Sequence, residues 1–147
     1  MKNYSSRPFI IKKDIKSVYE LFKSPRSAEH FLSSVDKSGL PAKEIQVTDD
    51  ALSFNAKMVG KVVLTRTEAI EPNLIRYTGT QSPVPLEISI SLNEETPETT
   101  KGQVSVDANI PSFLAGMVSN QLEPAMEKLA DMMEELDVDR FLGRSKE

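Results

Sequence analysis

The sequence contains no cysteine, no tryptophan and a single histidine, His30. Without cysteine, the chain can form no disulfide framework and offers no thiolate nucleophile. One histidine without cysteine partners cannot make the Cys/His sets that hold structural zinc. We therefore expect no metal and no other cofactor.

Excess positive charge and long apolar runs are also missing. Among the 147 residues, 18 Lys and Arg stand against 22 Asp and Glu, which gives a net charge of −4. Binding to nucleic acid draws much of its affinity from neutralised phosphates, so this balance argues against a nucleic-acid partner. No run approaches the ~20 apolar residues of a membrane span, and the N-terminal residues have no signal-peptide core. These features predict a cytoplasmic protein without a membrane span.

Sequence motifs of catalysis are likewise missing. The chain has no glycine-rich phosphate loop, GxSxG elbow or HExxH pattern. His30 directly follows Glu29, and neighbours in a helix point to different faces, so a surface position is favoured over a general base. The acidic residues between 131 and 139 lack the loop of a calcium site and are expected to form a solvated face. We predict neither catalytic residues nor metal ligands.

The first elements that the sequence predicts are an edge strand at residues 7–13 and two short helices. Asp14 is suited to cap the first helix, because its carboxylate can accept amide protons of the first turn. Ser24-Pro25 should end that helix and open the next, with Ser24 as cap and Pro25 as first helical residue. Helical spacing marks the buried face of the first helix at Ile15, Val18, Tyr19 and Phe22.

Residues 43–110 change to a period of two, which is typical of strands with one apolar and one wet face. Short turns at Asp49-Asp50, Gly60, Pro72-Asn73 and Thr96-Pro97-Glu98 separate the strands. Strands joined by such short turns pair antiparallel. With the N-terminal strand they predict one sheet of six to seven strands.

The last predicted element is a long amphipathic helix over residues 112–137. Its apolar stripe consists of Leu114, Met117, Val118, Leu122, Ala125, Met126, Leu129, Met132, Met133 and Leu136. We expect Leu122, Met126 and Leu129 to be deeply buried against the sheet. Residues 142–147 should fray, and residues 1–147 as a whole should form one α+β domain.

This order of elements resembles the START-related superfamily, which includes polyketide cyclases, plant pollen allergens and lipid-transfer domains, and it is similar to short bacterial single-domain members. The likeness lies in three stretches: residues 15–22 with the Ser24-Pro25 break, the hairpin at residues 54–64, and the helix at residues 114–136. It implies a helix-grip fold, in which a curved antiparallel sheet wraps around a long C-terminal helix. In that fold a cavity between sheet and helix often holds an apolar ligand. The resemblance brings no catalytic motif.

The candidate site is an apolar cavity beneath the first half of the C-terminal helix. Aromatic walls and flexible methionines suit varied apolar ligands, although the same residues could equally fill a core. The strand arginines Arg66 and Arg76 face either this cavity or the solvent, depending on the strand register. The residues predicted to contact the ligand are Phe31, Phe54, Leu64, Tyr77, Ile88, Ile90, Met117, Leu122 and Met126.

Three functions follow from such a site. The first is binding or carriage of a small apolar or amphipathic molecule. The second is a cyclase- or dehydratase-type enzyme that uses the same cavity, with Tyr77 or an inward arginine as the polar group. The third is a ligand-free interaction domain like the co-chaperone members of the superfamily. Converging polar side chains would favour the enzyme, an apolar cavity with one polar anchor would favour carriage, and a filled core would favour the interaction domain.

Overall fold

The computed structural model describes residues 2–37, 42–56, 60–81 and 84–138. The strands are β1 (Lys2–Ser5), β2 (Phe9–Ile11), β3 (Ala42–Val47), β4 (Ala51–Ala56), β5 (Gly60–Ile70), β6 (Leu74–Gln81), β7 (Leu86–Thr96) and β8 (Thr99–Ala108), and the helices are α1 (Ile15–Phe22), α2 (Glu29–Lys37) and α3 (Ser112–Glu134). The tail predicted to fray, residues 142–147, lies outside the described residues.

The strands form one antiparallel sheet in the order β1-β8-β7-β6-β5-β4-β3, and β2 also pairs with β8. This confirms the α+β fold with short helices after the first strands and a long C-terminal helix. The sheet has eight strands rather than six to seven. The N-terminal segment supplies two of them, because β1 pairs with the second half of β8 and β2 with the first half.

The break between β1 and β2 is held to the sheet by Ser6. Its amide donates to the carbonyl of Val104 at 2.9 Å, and its hydroxyl accepts the Val104 amide at 3.1 Å. Pro8 has no N–H to donate and separates this residue from β2. The strand predicted at residues 7–13 is therefore confined to Phe9–Ile11.

The two short helices start differently from one another. Asp14 caps α1 as predicted, accepting the Ser17 amide at 3.1 Å. The second helix begins at Glu29 and not at Pro25, because residues 24–28 form a turn. The hydroxyl of Ser24 donates to the carbonyl of Asp49 at 2.9 Å instead of capping a helix.

Arg7, between β1 and β2, connects the N-terminal segment to the second half of α3. Its guanidinium donates to Glu127 and Glu134, each at 2.8 Å, and also to Asp131. The hydrogen bond to Asp131 contributes most to raising the pKa of Arg7. The acidic face expected to be only solvated therefore also fixes the helix over the sheet.

The first half of α3 is held by Tyr4, whose hydroxyl shares a hydrogen bond of 2.8 Å with the hydroxyl of Ser119.

None of the helices in the described part of the chain has the length and apolarity needed to cross a bilayer.

The apolar face of the sheet carries a fully packed region at its β2 end. We call this region the filled core; its members, none more than 1% exposed, are Phe9, Ile11, Val18, Leu21, Ile75 and Leu92. The ring of Phe9 lies directly on Gly102, where an added Cβ would come within 2.5 Å of the ring. Glycine is required at this position because the ring occupies the space of a side chain.

The stripe of α3 is less uniformly buried than predicted. Met126 is buried as expected, and so are Ala130 and Met133. Leu122 and Leu129 are only half-buried, so the prediction that they lie deep in the core was wrong. Both border an open cavity instead of packed side chains.

Candidate functional site

A cavity of about 290 Å³ lies between the apolar face of the sheet, the α1–α2 region and α3. Strand side chains reach it because alternate residues of a strand share a face. Its walls are formed by Phe22, Pro25, Ala28, Phe31, Leu32, Val35, Ile45, Leu52, Phe54, Ala56, Val62, Leu64, Tyr77, Val84, Leu86, Ile88, Ile90, Val104, Val106, Ala108, Ile110, Val118, Gln121, Leu122, Ala125, Met126, Leu129 and Met133. Among these described residues, only Tyr77 and Gln121 carry a polar side-chain group.

The structure places eight of the nine predicted contact residues on this wall, namely Phe31, Phe54, Leu64, Tyr77, Ile88, Ile90, Leu122 and Met126. The ninth, Met117, is 50% exposed and does not line the cavity. The inward stripe of α3 passes through Val118 and Leu122, and Met117 is about 100° of helical rotation away from Val118. Contact of the eight with a ligand remains a prediction.

Several wall residues were not singled out from the sequence. Val104 and Val106 alternate on β8 directly opposite Ile90 and Ile88 in the antiparallel register. The period of two that identified the β7 residues could have identified these as well. Leu129 was assigned to the core because the helical stripe gives no sign of where packing ends.

Aromatic rings gather at the α1–α2 end of the cavity. Phe22 and Phe31 meet edge to face, with ring centroids 5.8 Å apart. The hydroxyl of Tyr77 donates to the carbonyl of Phe22 at 3.1 Å. Burial raises the pKa of Tyr77 to about 12; Tyr19 adds to this effect and Arg66 opposes it. The phenol thus stays protonated at neutral pH, with its proton directed to the backbone.

The two strand arginines lie on opposite faces of the sheet. Arg66 shares the inner face with Val62 and Leu64, but its guanidinium donates to the carbonyl of Lys23 at the end of α1 and does not line the cavity. The register shifts between Arg66 and Glu68, and such a bulge reverses which alternate residues face inward.

Arg76 faces outward because its neighbours on β6, Ile75 and Tyr77, are buried on the inner face. There it pairs with Glu68, which lies directly opposite it in the register, and with Glu87 at 3.1 Å. Neither arginine therefore offers its charge to the cavity.

His30 lies in α2, but its side chain is outside what the structure describes, so the surface position proposed for it stays a prediction. Within residues 2–37, 42–56, 60–81 and 84–138, no three acidic or histidine side chains come together as a metal site.

Similarity to known proteins is found in structure only. No protein-family profile matches the chain, and no curated protein matches it in sequence. A Thermus thermophilus protein is 18% identical and superimposes with a TM-score of 0.67, covering 97% of this chain and 98% of that one. A START superfamily protein from Mycobacterium smegmatis is 14% identical with a TM-score of 0.54, covering 89% and 98%.

Norcoclaurine synthase from Thalictrum flavum, in complex with dopamine and hydroxybenzaldehyde, is 9% identical with a TM-score of 0.66. The match covers 91% of this chain and 84% of that one. Such low identities establish the fold alone. The chain has the START-related helix-grip fold that its sequence predicts.

Proposed function

We propose that this protein binds a small apolar or amphipathic molecule in the cavity between sheet and α3, and acts as its carrier or store. The observation that carries the proposal is the cavity itself, about 290 Å³ of space with almost wholly apolar walls. Ligand pockets commonly enclose ~300–1,000 Å³ and orient their ligand with few polar groups. The dimensions suit a small ligand. The cytoplasmic location inferred from the sequence stays part of the proposal.

The energetic argument supports an occupant. Apolar side chains that border open space lose the packing contacts that they would make in a filled core. An apolar ligand would offset this loss, because its atoms restore the contacts that the wall side chains lack.

The chemistry of the wall favours carriage over catalysis. Acid–base catalysis needs side chains that can reach the substrate and exchange protons with it. Of the described wall residues, Tyr77 is the ionisable one, and its proton is donated to the carbonyl of Phe22. The ligand-free interaction domain is disfavoured for a different reason. Such a domain should have a filled core, whereas this protein has a cavity. The likeness to norcoclaurine synthase, which holds two small aromatic molecules, supports the same size of ligand.

A neutral, environment-sensitive dye such as Nile red tests the proposal. We expect the native protein to bind it with about micromolar affinity, and Met126→Trp to abolish the binding. Met126 lies on the wall and is 5% exposed, so the larger indole must occupy cavity space. Met117→Trp is the matched control, because it makes the same substitution on the same helix at a half-exposed site outside the wall.

Fluorescence titration and circular dichroism of the three proteins give the answer. Loss of dye binding in the Met126 variant alone, with the fold retained, supports the cavity as the site. Equal binding by both variants, or no binding by the wild type, contradicts the carrier function. Native mass spectrometry of the freshly purified protein should also show a bound small molecule.

A further inference from the structure

Among the residues that the structure describes, the wall of the cavity offers an entering ligand aliphatic and aromatic groups but no positive charge. Arg66 lies close enough to Tyr77 to oppose the rise in the pKa of that residue. The guanidinium of Arg66 donates to the carbonyl of Lys23, outside the wall. Arg76 lies on the opposite face of the sheet between Glu68 and Glu87.

The other charged side chains of the described elements around the cavity do not line it either. Exposed examples are Glu29, Lys43, Glu44, Lys61, Glu123 and Lys128. In the described part of the wall, the groups able to meet a polar atom are therefore the Tyr77 hydroxyl and the Gln121 amide, both of which are uncharged at neutral pH.

The Tyr77 hydroxyl is a poor partner for an anion. Its proton already satisfies the carbonyl of Phe22, and the hydroxyl itself is buried. A carboxylate beside it would either break that bond or face an oxygen lone pair. An uncharged hydroxyl or amine group, by contrast, could donate to the same oxygen without disturbing the bond to Phe22.

We propose that the cavity selects electrically neutral ligands, such as alcohols, ketones and hydrocarbons, and excludes carboxylates of the same shape. An ionised carboxylate placed against an apolar wall loses its hydration and gains no countercharge. Acids should therefore enter only in their protonated form. This inference rests on the proposed function and narrows its ligand class to uncharged molecules.

Displacement of Nile red by 1-decanol and by decanoate tests the inference on the wild-type protein. An aliphatic carboxyl group titrates near pH ~4.3, so at about pH 8 fewer than ~1 in 1,000 decanoate molecules is neutral. At this pH we expect decanol to displace the dye at a concentration at least ~100-fold lower than decanoate requires. Lowering the pH to about 6 increases the neutral fraction ~100-fold. Displacement by the acid should strengthen by up to that factor, while that by decanol stays constant. Both conditions lie above the isoelectric point of about 5.2.

A gain-of-function variant tests the cause. Gln121→Lys places a cation on the wall, and we expect it to bind decanoate at about pH 8 at least ~10-fold more tightly than the wild type does. Asn120→Lys is the control, because it changes the net charge equally at an exposed neighbour that does not line the cavity. It should leave decanoate binding unchanged.

The outcomes separate the two proposals. If decanoate displaces the dye as well as decanol does at about pH 8, the selection for neutral ligands is wrong while the carrier function stands. The same holds if both lysine variants gain equally, or if a folded Gln121→Lys protein that binds decanol gains nothing. If the wild type binds neither the dye nor decanol, the carrier function and this inference fail together. The wild-type comparison and the pH series do not depend on either variant folding.

Discussion

The apolar face of the sheet is packed at one end and hollow at the other. In the filled core, Phe9 and Leu92 are no more than 1% exposed, and α1 lies across β7 and β8. Around the cavity, Phe54 and Ile88 are only half-buried although they occupy the same face of the sheet, and so is Leu122 on α3. Both regions have the same types of side chain and the same spacing. The difference lies in what covers the sheet: α1 contacts β7 and β8 over the filled core, whereas elsewhere the cavity lies between the sheet and α3.

The largest expected effect on stability comes from truncating one leucine in each of the two regions and comparing the losses. Leu21→Ala in the filled core should lower the free energy of unfolding by about 2–5 kcal/mol, because the packed surroundings leave a new cavity. Leu129→Ala on the cavity wall should lower it by only about 1–2 kcal/mol, since part of that side chain already faces open space. Urea denaturation of both variants measures the difference. Equal losses would mean that the cavity region is packed as tightly as the core.

Two glycine-to-alanine substitutions, which should change stability in opposite directions, sharpen the comparison further. Gly102→Ala should destabilise the protein by about 1–3 kcal/mol, because the new methyl group overlaps the Phe9 ring and the filled core cannot yield. Gly116→Ala, in the part of α3 near the cavity, should stabilise it by about 0.5–1 kcal/mol. A Cβ there meets nothing within 4 Å, and alanine favours the helix over glycine.

Thermal unfolding of these two variants reads out the sign directly. A neutral Gly102→Ala would show that the Phe9 ring can move aside, so the filled core would be more adaptable than its burial indicates. A destabilising Gly116→Ala would show that the first half of α3 packs against something at this position.

The sequence predicts which face each residue occupies better than it predicts what lies opposite that face. Alternation on β7 correctly directed Ile88 and Ile90 inward, and helical spacing did the same for Leu122 and Met126. Yet period alone assigned Leu122 and Leu129 to a packed core. Neither a period of two nor one of 3.6 residues gives information about the distance between sheet and helix. That distance decides whether an inward side chain packs against other side chains or borders a cavity.

Irregularities of the backbone limited the remaining predictions. The bulge between Arg66 and Glu68 reverses the alternation of β5 only after Arg66. Counting from Val62 and Leu64 therefore places Arg66 correctly on the inner face but would misplace Glu68, the partner of Arg76. The second helix begins at Glu29 rather than at Pro25, and the Ser24 hydroxyl that was expected to cap it bonds to the carbonyl of Asp49, a residue distant in sequence. Such tertiary contacts override local signals that are otherwise correct, as the cap at Asp14 shows.

The last expected effect concerns Asp14, which caps the helix that covers the filled core. Its carboxylate accepts the Ser17 amide at 3.1 Å and the Ser17 hydroxyl at 2.9 Å. Burial opposes ionisation, but these bonds outweigh it and lower the pKa of Asp14 below its usual value. A lowered folded-state pKa means that the carboxylate contributes stability above the unfolded-state pKa of ~3.9, and that this contribution is lost as the pH falls through the folded-state pKa.

At about pH 7, Asp14→Ala should cost about 1 kcal/mol. Asp14→Asn is the control, because its amide oxygen can still accept the Ser17 amide but does not titrate. The stability difference between wild type and the Asn variant should therefore shrink between about pH 7 and pH 3. If denaturation at these two pH values gives the same difference, the charge of Asp14 does not stabilise α1.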